Sequence, residues 1–286
     1  MASEFDESRL DDPAILAESD HLLRPLAEAG ARLRRESAAA EAAIASLAGE
    51  QRPRAVIAVG PEARLLRAVL EPVCPVPFVA WPNLGLPGWV GPLDLVVVLG
   101  GGQAAATCAH EALRRGSRLL VTAPEDSSLA RQAESRATTL LPVSTADPMP
   151  AAIVALAALH EMGLGAPISP AAVADALDAV ALESAHGVDI AANPAKMVAL
   201  ELADSQPVVW GGSVLAARAS RRVAEAVRTA SGRVALAADA TELLPILAAV
   251  APRDPFADPF EASEDARPTL VVVDDGLGDP EHAEQR

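Results

Sequence analysis

Tyrosine is missing from this 286-residue chain, aromatic residues reach only 2%, and Lys196 is the single lysine. Without bulky rings the core has to be built from Val, Leu, Ala and Ile, which suits helices packed on a parallel sheet. Cationic side chains are scarce as well: 23 Lys and Arg stand against 39 Asp and Glu, for a formal net charge of −16. Repulsion from phosphodiester backbones and anionic headgroups excludes nucleic acid and membrane surfaces as partners. The two cysteines, Cys74 and Cys108, make no C-x-x-C pair and no His/Cys cluster. Buried thiols in a reducing cytoplasm are therefore expected, with no metal site. The best apolar segment, residues 151–159, is about half the length of a bilayer span. The first residues, Met-Ala-Ser-Glu-Phe-Asp-Glu, are acidic where a secretory signal is basic. The expectation is a soluble, cytoplasmic protein, and the preference for Arg over Lys together with abundant Ala points to a GC-rich bacterial genome.

What the chain does contain is organised around residues 94–103, Asp-Leu-Val-Val-Val-Leu-Gly-Gly-Gly-Gln. A short β-branched run cut off by glycines and followed by helix-forming residues predicts a buried parallel strand, a tight turn and a helix start. In open α/β sheets ligands bind at the carboxyl ends of the strands, and the free N–H groups of a helix start suit anions.

Around this unit the pattern alternates. Residues 1–13 are polar and expected to be loosely ordered. Residues 20–47 are helical in composition, with a break expected at Pro25 and with Arg32, Arg34 and Arg35 on a solvated face. Strands are predicted at 55–60, 76–80, 117–122 and 137–143, with helices from Pro61, over 127–136 and over 150–162. Residues 81–92 form a Pro/Gly-rich loop. After a boundary near 163–168, Ser169-Pro170 and Asn193-Pro194 each open a helix with a side-chain cap and a proline in the first turn. A strand and turn over 207–213, a helix at 214–230, a strand at 233–237, a helix at 242–250 and a strand at 269–274 complete the series. Such alternation specifies doubly wound parallel sheets. The division is residues 1–48 as tail and helix, 49–165 as the first sheet domain and 166–286 as the second. The second repeats the first weakly: Val56-Ile-Ala-Val-Gly60 plus helix matches Val208-Val-Trp-Gly211 plus helix, and Val96–Gly100 matches the 271–276 run. The repeat stops short in the second half, which reads as truncated.

Gly100-Gly-Gly-Gln-Ala-Ala105 also fits G-x-G-x-x-A, the dinucleotide fingerprint. That mechanism places an acid at the end of the next strand to hold ribose hydroxyls. Here the strand ends Val121-Thr-Ala-Pro124, with Glu125 and Asp126 beyond the proline. An NAD(P)-type enzyme and a non-catalytic scaffold stay open as alternatives, and no cofactor is expected. The histidines are scattered, and only His186, beside Gly187 in a loop, is placed for a cleft. The acids Asp254, Asp258, Glu261, Glu264 and Asp265 lie in a Pro-rich stretch and read as a solvated segment.

The order of elements, with Asn193-Pro-Ala-Lys196 leading into a helix and then Pro207-Val-Val-Trp-Gly211, resembles the sugar isomerase (SIS) fold. More narrowly it resembles the bifunctional phosphoglucose/phosphomannose isomerase family and its TobH-type bacterial relatives. The resemblance implies two SIS-like domains, a phosphorylated sugar or sugar nucleotide as ligand, a homodimer, and aldose–ketose isomerisation by a carboxylate and a histidine. The hydroxyl-rich phosphate loops of that family are replaced here by Val59-Gly-Pro-Glu-Ala-Arg64 and by Gly100-Gly-Gly-Gln-Ala-Ala-Ala-Thr107. Its proline-arginine falls near Asp147-Pro-Met-Pro150, which has no arginine. Its H-N-E signature is absent, leaving Glu242 as the nearest carboxylate. The ligand-binding candidates are Gly60, Gly100, Gly101, Gly102, Gln103 and Thr107 in the first half, with Lys196, Gly211, Gly212 and Ser213 in the second. Glu242 and His186 are the catalytic candidates, in a site expected to be degenerate.

Overall fold

The structure is a computed structural model that describes residues 5–250 and 267–276. Its described residues fall into two compact units. Residues 26–180 form one, and those before residue 26 together with those from residue 181 onward form the other. The acids at Asp254, Asp258, Glu261, Glu264 and Asp265, and His282, lie outside the described residues.

The unit of residues 26–180 is a five-stranded parallel sheet in the order β2-β1-β3-β4-β5. Its strands are β1 (Val56–Val59), β2 (Phe78–Ala80), β3 (Leu95–Leu99), β4 (Arg118–Ala123) and β5 (Thr138–Pro142). The helices α3 (Ala29–Ala45), α4 (Ala63–Leu70), α5 (Gln103–Arg114), α6 (Ser128–Gln132) and α7 (Pro148–Glu161) accompany them. Side chains alternate across a strand, so Val56, Ala58 and Val97 join one core with Leu33 of α3, Leu66 of α4 and Leu156 of α7. Ile57, Val59 and Val98 join the other, with Cys108 and Ala112 of α5 and Leu129 of α6. Both faces of the sheet are covered, which is why β1 and β3 read as unbroken apolar runs. Helix α3 therefore belongs to this core. Cys108 is buried and Cys74 half-buried, both as free thiols.

Local boundaries differ from expectation where capping decides them. The helix expected from Pro61 starts at Ala63, because residues 60–62 are held in the turn that leaves β1. Residues 5–18 carry a 3-10 turn at Glu7–Leu10 and a helix, α1 (Pro13–Glu18), whose caps are the side chains of Asp6 and Asp12. Helix α2 (Asp20–Ala27) continues past Pro25 before it ends. The arginines of α3 are not a uniformly solvated face. Arg34 bridges Asp175 and Asp178 of α8 (Pro170–Glu183), whereas Arg32 is only 14% exposed and pairs with Asp147 at 2.8 Å.

The other unit holds a three-stranded parallel sheet, β7-β6-β8, among the described residues. It is built from β6 (Ser205–Gly211), β7 (Leu236–Ala237) and β8 (Arg267–Val273), with α9 (Pro194–Leu202), α10 (Val214–Ser231) and α11 (Ala240–Ala248). Ser169 and Asn193 cap their helices as the sequence predicts, and Asn193 accepts the N–H groups of both Ala195 and Lys196. The five-residue strand expected at 233–237 shrinks to Leu236–Ala237, the two residues that pair with Val208 and Val209. No helix of the described residues is long and apolar enough to cross a membrane.

Candidate functional site

In the order β2-β1-β3 the strand order reverses at β1, with β2 on one side and β3 on the other, and at such a switch point the loops leaving β1 and β3 diverge and open a crevice. The pleat brings those loops together closely at one place. A methyl group on Gly60, whose φ is +118°, would lie 2.2 Å from the Leu99 carbonyl oxygen, so only glycine fits there. The turn after β3 is anchored by β4: the Gly100 N–H donates to the Thr122 carbonyl at 3.1 Å and to its hydroxyl at 3.0 Å. Gly100 and Gly102, with φ of +74° and +97°, then reverse the chain into α5. The first N–H groups of an α-helix have no acceptor within it, and those of residues 102–104 stand at this end of the sheet.

A cleft of about 460 Å³ opens here, over the carboxyl ends of β3, β4 and β5. Gly100 and Gly101 form one side of it, and the β5–α7 loop, with Ser144, Thr145 and Asp147, forms another. That loop is held from beneath by α3. Glu36, buried on α3, accepts the Ser144 N–H at 2.8 Å and the Ser144 hydroxyl at 3.0 Å. Arg32 takes one oxygen of Asp147 while the other accepts the Met149 N–H at 3.0 Å and so caps α7. Burial alone would raise the Glu36 carboxyl. The Ser144 amide, Arg35 and the Ser144 hydroxyl outweigh it and hold the group below the usual glutamate range.

The candidates from sequence fall into separate places. Gly100 and Gly101 line the cleft, Gly102 and Gln103 continue from it into α5, and Gly60 sits behind it at the β1–β3 approach. Thr107 lies one turn into α5 and donates its hydroxyl to the Gln103 carbonyl at 2.9 Å. Lys196 is 7% exposed, and its three N–H donors go to Asp11 and to the carbonyls of His186 and Val188 at 2.8 and 2.9 Å. With all three directions taken it offers a ligand nothing, and it ties α9 to the chain's first helical turns. His186 and Glu242 are both exposed on that same unit. Among the described residues no group of three His, Cys, Asp or Glu is placed to hold a metal.

At the second switch point, between β6 and β8, Gly211 again permits a close approach. A methyl there would meet the Ala216 backbone at 2.4 Å. Ser213 caps α10 by accepting the Ala216 N–H at 3.0 Å and donates its own proton to Asp275, just beyond β8. A carboxylate thus already stands beside this helix start.

Thr122, Ser144 and Thr145 are not among the residues singled out from sequence, and Asp147 enters there only as the start of the stretch where the family's proline-arginine falls. A polar residue closing an apolar strand and a Ser-Thr-Ala-Asp run just after another were the available signals.

No protein-family profile and no curated protein matches the chain by sequence. Among solved structures it is similar to a candidate sugar-binding protein of Salmonella typhimurium LT2, with a TM-score of 0.55 and 14% identity over 92% of this chain and 83% of that one. A candidate phosphosugar isomerase from the same organism gives 0.55 and 15% over 84% and 83%. Another, from Bacillus subtilis, gives 0.53 and 14% over 88% and 85%. At these identities the likeness is one of architecture, and the chain has the sugar isomerase fold.

Proposed function

We propose that the protein binds a phosphorylated sugar in the cleft at the carboxyl ends of the first sheet, and that it does so without an efficient isomerase site. The observation that carries this reading is the cleft itself. Its volume lies within the roughly 300–1,000 Å³ of small-molecule sites, and Gly100 and Gly101 line it together with Ser144, Thr145 and Asp147. A helix start and a glycine turn suit a phosphate even where no cation lines the wall, and a polyol suits the oxygen-rich loop. The solved structures of similar fold include proteins described as sugar-binding and as phosphosugar isomerases, which supports the ligand class. The narrower resemblance to phosphoglucose/phosphomannose isomerases makes hexose 6-phosphates the first ligands to try, with a homodimer as the working assembly and the cytoplasm as its location.

What lines the cleft argues against efficient catalysis. The residues lining the cleft include no histidine, and the one carboxylate among them, Asp147, is held by Arg32 and the Met149 N–H. Losing a positioned acid/base pair removes roughly 10²–10⁴-fold in rate. The test is a titration with glucose, fructose and mannose 6-phosphates, following the thermal transition and turnover together. A shift with turnover near background is expected. No shift with any of the three removes the ligand class, and turnover near that of an ordinary enzyme overturns the statement about catalysis.

A further inference from the structure

The buried carboxylate under the cleft decides how a ligand would lie in it. A serine hydroxyl has one proton and two lone pairs, and an ionised carboxylate can only accept. The Ser144 Oγ lies 3.0 and 3.1 Å from the two oxygens of Glu36, so its proton points down toward α3. Glu36 is 1% exposed and also holds the Ser144 N–H and Arg35, which leaves it no second orientation. What Ser144 turns toward the cleft is therefore a pair of lone pairs. Asp147, with its oxygens on Arg32 and the Met149 N–H, adds acceptor oxygens to the same wall. Thr145, whose hydroxyl oxygen accepts the Asp147 N–H at 3.2 Å, keeps its own proton and can serve either kind of group. Gly101 of the glycine turn lines the cleft as well, and the N–H groups of the helix start at residues 102–104 follow it. Donors and acceptors thus come from different loops.

We propose that Glu36 is a positioning residue that makes Ser144 an obligate acceptor, so that a sugar phosphate is taken in one orientation, its phosphate on the glycine turn and a sugar hydroxyl on Ser144. A doubly ionised phosphate has no proton to offer Ser144, so the reversed pose would set acceptor against acceptor there and is disfavoured. The carboxyl of Glu36 is held below its usual range, which keeps the arrangement intact at neutral pH. This inference rests on the phosphosugar reading above and adds to it which end of the ligand meets which wall.

The test compares fructose 6-phosphate with inorganic phosphate, each titrated against the full chain and followed by the amide signals of Gly101, Gly102 and Gln103. Ser144→Ala and Glu36→Gln should each weaken fructose 6-phosphate by about five- to ten-fold, the scale of one hydrogen bond. Inorganic phosphate should stay within about two-fold. Gly102→Val should weaken both. Ser144 is exposed, so its alanine variant carries the test even if Glu36→Gln does not fold. If both variants leave the ratio of the two affinities as in the wild type, the assigned orientation is wrong. If the wild-type protein binds neither probe, the phosphosugar reading fails and takes this inference with it. That outcome differs from an unchanged ratio in a protein that binds both.

Discussion

Strand β1 sits between β2 and β3 as β6 sits between β7 and β8, and in both places a glycine ends the central strand and a helix follows. The two switch points nevertheless differ in what faces them. After β3 come three glycines and a helix start, with a cleft over them. After β8 comes Asp275, hydrogen-bonded to the Ser213 that caps α10. One arrangement leaves the N–H groups of a helix start for an anion, and the other sets the protein's own anion beside them. Topology creates a crevice in both units, but a few side chains decide whether it can hold a phosphate. The cores differ too. The first sheet has fully buried strands on both faces, whereas β8 leaves Leu270 and Val272 43% and 49% exposed.

The contrast can be pressed with substitutions. In the filled core, Leu120→Ala should cost about 2–5 kcal/mol in denaturant unfolding, since the side chain is buried and its cavity cannot collapse. A loss under about 1 kcal/mol would mean that the first core is looser than described. Gly60→Ala should follow at roughly 3 kcal/mol, because the added methyl meets backbone and the φ is in the glycine region. In the smaller core, Val271→Ala should cost only about 1 kcal/mol, because the side chain is half-buried. Leu270→Ser on the exposed side of β8 should change stability by less than about 0.5 kcal/mol. A large loss there would show that this face is covered in solution.

Acid sensitivity should divide in the same way. Glu36 and Asp94, both buried in the first unit, have folded pKa values below the ordinary 4.5 and 3.8. For Asp94, burial would raise the value, but the Arg54 guanidinium and the Gly91 N–H prevail. A depressed carboxyl adds stability that is complete above its unfolded pKa and is lost as pH falls through the folded one. The stability gap between the wild type and Glu36→Gln should therefore be full at pH 7 and shrink below about pH 4.5. A gap that stays constant down to pH 3 would remove the ionised carboxylate from the account.

Much of this architecture was legible in the sequence, because it rests on local pattern. The β-branched runs at Val56–Val59 and Leu95–Leu99, the glycines that end them and the caps at Ser169 and Asn193 each signal their own structure within a few residues. The repeat between Val56 and Val208 shows in the matching order of β2-β1-β3 and β7-β6-β8. The walls of the cleft were only half legible, for the same reason. Glu36 reaches Ser144 across 108 positions and Arg32 reaches Asp147 across 115, and no spacing rule connects them. The loop at Asp147 carries no arginine of its own, whereas α3 supplies Arg32. Lys196 shows the same limit, since nothing in the sequence after Asn-Pro-Ala signals the three acceptors that its ammonium meets.

The most direct check on the central claim is a crystal structure of the full chain with fructose 6-phosphate soaked in. The phosphate should lie within hydrogen-bond distance of the Gly101–Gln103 amides, with a sugar hydroxyl on Ser144 and nothing at Ser213. Sugar phosphate bound beside Ser213 and Asp275, or an empty first cleft at saturating ligand, would contradict the account.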